Sequence, residues 1–453
     1  RVEATMRGDN DIRLYCMYLM KERMKGNRSM SIHFNPMLLS TVLLTIFTFA
    51  NGQKDDPELF MTATEMIRYW GYPAEEHSAT TTDGYILGMH RIPKGLSDVN
   101  PAIRPVVFMQ HGLESDTTSW IANLPYESAG YLFFLSKMIY LTNRGFVFAD
   151  AGFDVWMGNA RGNTYSKKHV NLTSDDEKFW EFSWDEMQQY DLEAMINYVL
   201  LTTGQKSLYY IGHSQGTLTM FAKLSLDPSF APKIKKFFAL APVGSVAHIQ
   251  GSLHELADKL TVDIELYYEL FGSGEFTPNS AITDLIAQWV CGTTEKGEDR
   301  CDNILFGMMG PEMSDQFNKS RTEVYVAHNP AGTSTQNIIH WAQMVEQGTV
   351  TRFDYGSSKK NYQHYGMNTP PLYDFSTIKT DMYLYWSDLD YLADAQDVQE
   401  YLIPALNPEY LKLNQFIPGY THIDFIWGLK ATNDLYNPII EIIREDLGGS
   451  IQC

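Results

Sequence analysis

The stretch Leu208-Tyr-Tyr-Ile-Gly-His-Ser-Gln-Gly-Thr217 constrains the fold more than any other part of the chain. Its first half is an apolar run of strand type, and its continuation Leu218–Leu224 reads as a helix. Between them, two glycines flank Ser214 at the spacing of a nucleophile elbow, Gly-x-Ser-x-Gly. A turn this tight forces the serine into a strained backbone conformation, and glycines let neighbouring chain approach closely. The bare pattern arises by chance in about one chain in seven of this length, given ordinary glycine and serine usage. Its meaning therefore depends on what surrounds it.

The surroundings alternate strands with helices. Residues around Tyr85–Arg91 suggest a hairpin strand, and Pro105–Gln110, Ala151–Met157 and Phe237–Pro242 read as buried strands. Residues 184–203 have helical periodicity and lead into the elbow strand. Such alternation implies a mostly parallel sheet covered on both faces. From 245 to 374 the rhythm changes to apolar helical segments (253–271, 281–291, 303–309) without clear central strands, as expected of an inserted helical cap. Strands at Asp381–Trp386 and Leu413–Pro418 and a last helix near 435–447 restore the pattern. The fold class expected is α/β: an α/β-hydrolase sheet built from residues 53–244 and 375–453, with the cap at 245–374.

The N-terminus reads differently. Residues 1–29 are taken as an upstream extension outside the mature fold, and 30–52 as a signal peptide with an apolar run from Pro36 to Ala50 and small residues at Ala50 and Gly52. As a helix those 15 residues would span about 22 Å, short of the roughly 30 Å hydrocarbon core, so cleavage is expected rather than anchoring. Export to a secreted or lysosomal destination gives meaning to Cys291 and Cys301, which bracket a polar loop and suit a local disulfide. It does the same for the glycosylation acceptors Asn171-Leu-Thr and Asn318-Lys-Ser. With 453 residues and a formal net charge of −20, no basic stripe offers itself to nucleic acid.

A serine hydroxyl needs a histidine to take its proton, and that imidazole needs a carboxylate to fix its tautomer. The chain order Ser, acid, His of the α/β-hydrolase arrangement is available here. His422 lies between the last strand and the last helix, whereas His213 sits inside the elbow and His328, His340 and His364 fall in the cap. For the acid, spacing leaves Asp388, Asp390, Asp394 and Asp397 open, since a neighbouring carboxylate could instead cap the helix starting near Ala393. His111-Gly112-Leu113, a turn directly after a strand, is where a second oxyanion donor belongs, so the N–H groups of Leu113 and Gln215 take that role. No metal-binding or phosphate-binding motif is present, and the expected chemistry is acyl transfer without cofactor.

Several stretches resemble the acid lipase family, which includes gastric and lysosomal acid lipases and insect members. They are Tyr69-Trp-Gly-Tyr-Pro73, His111-Gly-Leu113, Asp154-Val-Trp156, Gly158-Asn-Ala-Arg-Gly-Asn-Thr164, Gly212-His-Ser-Gln-Gly-Thr217, His328-Asn-Pro-Ala-Gly-Thr-Ser334, Asp354-Tyr-Gly356, Leu392-Ala-Asp394 and His422-Ile-Asp-Phe-Ile-Trp427. The resemblance implies hydrolysis of triacylglycerol and sterol esters at a lipid–water interface. It selects Asp390 as the acid, places the oxyanion donors on Leu113 and Gln215, matches Cys291–Cys301 to the family's cap disulfide, and implies that the cap at 245–374 carries a lid whose movement admits the acyl chains. Three departures stand out: extra residues over 134–148, a turn before Asp390 one residue shorter than in mammalian members, and methionines 308 and 309 near a family cysteine. The competing expectations are a carboxylesterase for soluble esters and a catalytically silent lipid-binding protein on the same fold.

Overall fold

The computed structural model describes residues 56–97, 103–124, 144–251, 254, 272–276, 310, 314 and 316–448. All of them fall in one compact unit, Asp56–Cys453. The expected leader, the cysteine pair 291/301 and, apart from residue 254, the cap helices at 253–271, 281–291 and 303–309 lie outside the described residues.

Eleven strands are described: β1 (Glu75–Thr80), β2 (Tyr85–Ile92), β3 (Val106–Gln110), β4 (Asp154–Gly158), β5 (Lys168–His169), β6 (Leu208–His213), β7 (Ile234–Leu240), β8 (Glu275–Phe276), β9 (Thr333–Ser334), β10 (Met382–Trp386) and β11 (Leu411–Phe416). The main sheet runs β1-β2-β4-β3-β6-β7-β10-β11, with β5 beside β2. From β4 to β11 every pairing is parallel, while β1, β2 and β5 pair antiparallel at one end. Burial explains the difference. β3, β4 and β6 are buried at every position, as uninterrupted apolar runs covered on both faces must be, whereas edge strand β1 is exposed at alternate residues.

The elbow strand β6 occupies the middle, between β3 and β7. Loops after the C-terminal ends of parallel strands therefore converge there, and four of them carry the residues of interest: after β3, β6, β10 and β11. This is the crevice where ligands of open parallel sheets bind.

Helix Leu192–Thr203 buries Leu192, Met195, Ile196, Val199 and Leu200 against the sheet and stops at Gly204, whose φ of +68° only a glycine adopts without strain. Its expected start at 184 differs in detail. A helical turn at Trp184–Glu186 passes into a π turn over Met187–Asp191. The wider turn leaves the Asp191 carboxylate accepting from the backbone N–H and Nε of Arg161 at 3.0 and 2.8 Å.

Within 245–374 the described helices are Thr322–His328, Thr335–Gln347 and Ser358–Tyr365. A short antiparallel ribbon of β8 and β9, unexpected from the sequence, also lies there. The end of the extra stretch, residues 144–148, opens a helix (Arg144–Asp150) rather than bulging outward. Phe146 and Phe148 are fully buried, and Phe146 stacks on Tyr72 at 4.2 Å. Residues 134–143 lie outside the described part.

Candidate active site

Ser214 sits between β6 and helix Gln215–Leu226 with φ +54° and ψ −122°. A side-chain-bearing residue in that region carries about 1–3 kcal/mol of strain, sustained only where the surroundings enforce it. Three bonds enforce it. The Ser214 N–H donates to Leu240 O at 3.1 Å, and its carbonyl accepts from the Thr217 hydroxyl at 2.7 Å. That hydroxyl in turn accepts from Val243 N–H at 2.9 Å, which ties the elbow to the loop after β7.

Sterics require both elbow glycines. A Cβ on Gly212 would lie 2.7 Å from Gly216 O, and one on Gly216 only 2.4 Å from Gln110 O. Gly112 serves a related purpose, since its α-carbon faces the nucleophile and a Cβ there would meet Ser214 Cβ at 3.0 Å. The loop after β3 is thus pressed against the serine, with Leu113 next in line.

His422 and Asp390 come together although 32 residues separate them. Both are almost wholly buried, and His422 Nδ1 lies 2.9 and 3.0 Å from the two Asp390 carboxylate oxygens. Asp390 Oδ1 also accepts from the N–H groups of Leu392 and Ala393 at 2.9 and 2.8 Å, which fixes the carboxylate plane. The imidazole is braced from behind. His213 Nε2–H donates to His422 O at 3.0 Å, and Asp424 accepts from the N–H and hydroxyl of Thr421, each at 2.8 Å.

The rival residues are otherwise engaged. Asp388 accepts from Gly419 N–H at 2.8 Å, linking the two loops that carry acid and base. Asp394 caps the helical turn Ala395–Asp397, and Asp397 faces His248 at 3.0 Å. His340 is fully buried between Ser183 and Thr351, His328 lies 2.8 Å from Glu58 O, and His364 stacks on Tyr355.

The sequence offered His111 only as part of a turn, and the role of its side chain was not read from it. His111 Nδ1–H donates to Gly112 O at 2.7 Å, and its Nε2 accepts from Ala160 N–H at 3.0 Å and Asn163 Nδ2 at 3.2 Å. Burial lowers its pKa to about 4, so the ring stays neutral and this tautomer persists. It holds the Gly112–Leu113 backbone in place. The signal was present in the stretch Gly158–Asn163, whose last residue reaches His111. Among the described residues, the N–H groups of Leu113 and Gln215 have no hydrogen-bond acceptor, leaving both available to a ligand oxygen.

Glu114, directly after Leu113, has φ +52°, and its carbonyl accepts from Ala331 N–H at 2.6 Å. One carboxyl oxygen is buried without a partner among the described residues, and burial pushes the group up to about 7. Its folded pKa is thus raised above the ordinary 4.5, so stability falls as pH rises from about 4.5 to about 7. Glu114→Gln is expected to stabilise the protein by about 2–3 kcal/mol at pH 7.5 and hardly at all at pH 4, as read by urea unfolding. An equal effect at both pH values would mean that the carboxyl titrates alike in the folded and unfolded chain.

Of the two glycosylation acceptors, Asn171 is exposed. Asn318 is 9% exposed, its Oδ1 accepts from the N–H and hydroxyl of Ser320, and its amide nitrogen is shielded from solvent. A glycan on Asn318 would require this side chain to leave Ser320 and turn outward, whereas Asn171 already faces solvent.

Comparison with known proteins agrees with this architecture. Residues 63–124 match a partial alpha/beta-hydrolase lipase region, and residues 105–429 match the alpha/beta hydrolase fold. The chain is 51% identical to lipase lipl-1 of Caenorhabditis elegans, over 91% of this chain and 99% of that protein. It is 42% identical to bovine gastric triacylglycerol lipase, over 88% of this chain and 95% of the relative. Human lysosomal acid lipase/cholesteryl ester hydrolase is also 42% identical, over 92% and 100%. A full-length match to curated lipases, on a sheet that gathers a serine, a histidine and a carboxylate at its carboxyl edge, means that this chain belongs to the acid lipases of the α/β-hydrolase fold.

Proposed function

We propose that this protein hydrolyses the carboxylic ester bonds of triacylglycerols and sterol esters through an acyl-enzyme on Ser214. In this reading His422 Nε2 takes the Ser214 proton as the hydroxyl attacks the ester carbonyl, and Asp390 holds the opposite ring nitrogen and steadies the imidazolium. Negative charge gathers on the former carbonyl oxygen, where the N–H groups of Leu113 and Gln215 receive it. Each such donor is worth roughly 10²–10³ in turnover. His422 then protonates the leaving alcohol, and water repeats the sequence to release the fatty acid. The observation that carries the reading is the pair of contacts from His422 Nδ1 to Asp390, in loops that open at the same sheet edge as the strained Ser214.

The substrate class rests on the relatives, whose names specify triacylglycerol and cholesteryl ester. A secreted or lysosomal destination rests on the signal-type segment at 30–52 together with those gastric and lysosomal relatives. Among the described residues no helix is long and apolar enough to cross a membrane.

A substrate panel tests the proposal. Emulsified triolein and cholesteryl oleate should both be cleaved, with activity rising once substrate exceeds its solubility and forms an interface. Saturation on dissolved short-chain esters with no response to emulsion would identify a soluble-ester carboxylesterase. Binding of lipid without release of fatty acid would identify a silent lipid-binding protein.

A further inference from the structure

Gln215 is the residue whose backbone N–H is read above as an oxyanion donor, yet its side chain is also held. Its Oε1 accepts from Trp341 Nε1–H at 2.7 Å and from Asn337 Nδ2–H at 3.0 Å, while its Nε2 lies 3.4 Å from the Met187 sulfur. Gln215 and Asn337 are almost wholly buried, and Trp341 is half-buried. Both donors stand on helix Thr335–Gln347 four residues apart, so they occupy one face, one turn apart.

The amide orientations follow from partners that can only donate. Indole Nε1 has no acceptor capacity, so the atom of Gln215 that meets Trp341 is the oxygen. Asn337 Oδ1 accepts from Trp184 N–H at 2.8 Å, which leaves Asn337 Nδ2 to point at Gln215 and at Thr333 Oγ1, each at 3.0 Å. The helix itself is anchored, because the Ser334 hydroxyl caps Asn337 N–H at 3.0 Å and donates to Phe182 O at 2.5 Å.

We propose that Asn337 and Trp341 are positioning residues for the oxyanion hole. By gripping the Gln215 side chain from the region that follows β9, they set the direction of the Gln215 N–H and make oxyanion stabilisation depend on where helix Thr335–Gln347 sits. The physical need arises at the elbow. Ser214 is held at a strained φ, and Gln215 is the first residue of its helix, so its N–H has no helical partner to fix it. Hydrogen bonds weaken steeply as their angle falls, and a displacement near 1 Å at a reacting centre can cost about 10²-fold. A second anchor on the same residue removes that freedom.

The inference rests on the hydrolase reading of Ser214 and Gln215, and the experiment separates the two. Trp341→Phe keeps an aromatic ring and removes the indole donor. Gln215→Met keeps the length and the backbone N–H and removes the acceptor. Each variant is expected to lower kcat about 10- to 100-fold with KM within about twofold. Each should also weaken binding of a trifluoromethyl ketone, which forms the tetrahedral oxyanion on Ser214, by a similar factor. Binding of a non-hydrolysable ether analogue of the same lipid should stay within about twofold, since it places no charge in the hole. The double variant should lose no more than Gln215→Met alone, because that change already removes the bond that Trp341→Phe breaks. Additive losses, equal losses for ketone and ether, or an unchanged kcat would overturn the positioning role. Ser214→Ala measured alongside reports on the underlying reading: full activity in that variant would remove the basis for both.

Discussion

Replacing Ser214 with alanine is expected to lower kcat on emulsified triolein by about 10⁶-fold. The hydrolytic sequence has no step that survives loss of the nucleophile, and what remains is the roughly 10³–10⁴-fold advantage over water that binding and the oxyanion donors supply. Folding should be indifferent. The bonds that hold Ser214 in its turn run through its main-chain N–H and carbonyl, to Leu240 and Thr217, and alanine retains both. The strain at φ +54° persists as well, since alanine carries the same Cβ. A thermal midpoint within a degree or two of the parent, together with abolished turnover, is therefore the expected pairing. His422→Ala should cost about as much, and the double variant no more than either, because the two residues act as one unit. A Ser214→Ala protein that still released fatty acid at a tenth of the parent rate would place the chemistry elsewhere.

The second large effect concerns Asp390. Asp390→Asn should lower kcat by about 10⁴-fold while leaving the fold in place. An asparagine oxygen can keep the bonds from Leu392 and Ala393 N–H, now 2.9 and 2.8 Å long. Its Nδ2 then faces His422 Nδ1, which must act as acceptor. The ring proton moves to Nε2, where it can no longer receive the proton of Ser214. Asp388→Asn and Asp397→Asn serve as controls and should stay within a few-fold of the parent, because those carboxylates face Gly419 and His248. Steady-state kinetics with circular dichroism on the three variants decides the matter. Comparable losses at all three would point to a general weakening of the loop after β10 and not to a histidine partner.

Much of the fold was legible because its signals are local. Val106–Gln110, Asp154–Gly158 and Leu208–His213 are short apolar runs bounded by glycine or polar residues, and a parallel strand covered on both faces leaves just that trace. The elbow was legible for a steric reason, since no side chain fits where Gly212 and Gly216 touch each other and Gln110. The π turn at Met187–Asp191 and the β8–β9 ribbon left no such trace. The first is stabilised by an arginine 30 residues away, Arg161, and the second by pairing between segments nearly sixty residues apart.

The candidate site divides along the same line. Sequence alone determined that a serine sits at a strained strand–helix corner, that a histidine follows the last strand, and that several carboxylates follow the one before it. These are properties of residue type, spacing and order, which local sterics and hydrophobic periodicity write directly into the chain. Among Asp388, Asp390, Asp394 and Asp397, spacing made no distinction, and only a family resemblance favoured one. Tertiary structure decided which carboxylate meets the imidazole, because that choice depends on how two loops after neighbouring strands pack against each other. It alone revealed that His111, Asn163, Asn337 and Trp341 reach back to the two loops that bear the backbone donors. Contacts between side chains 50 to 130 residues apart carry no period, so they exist only once the sheet has assembled.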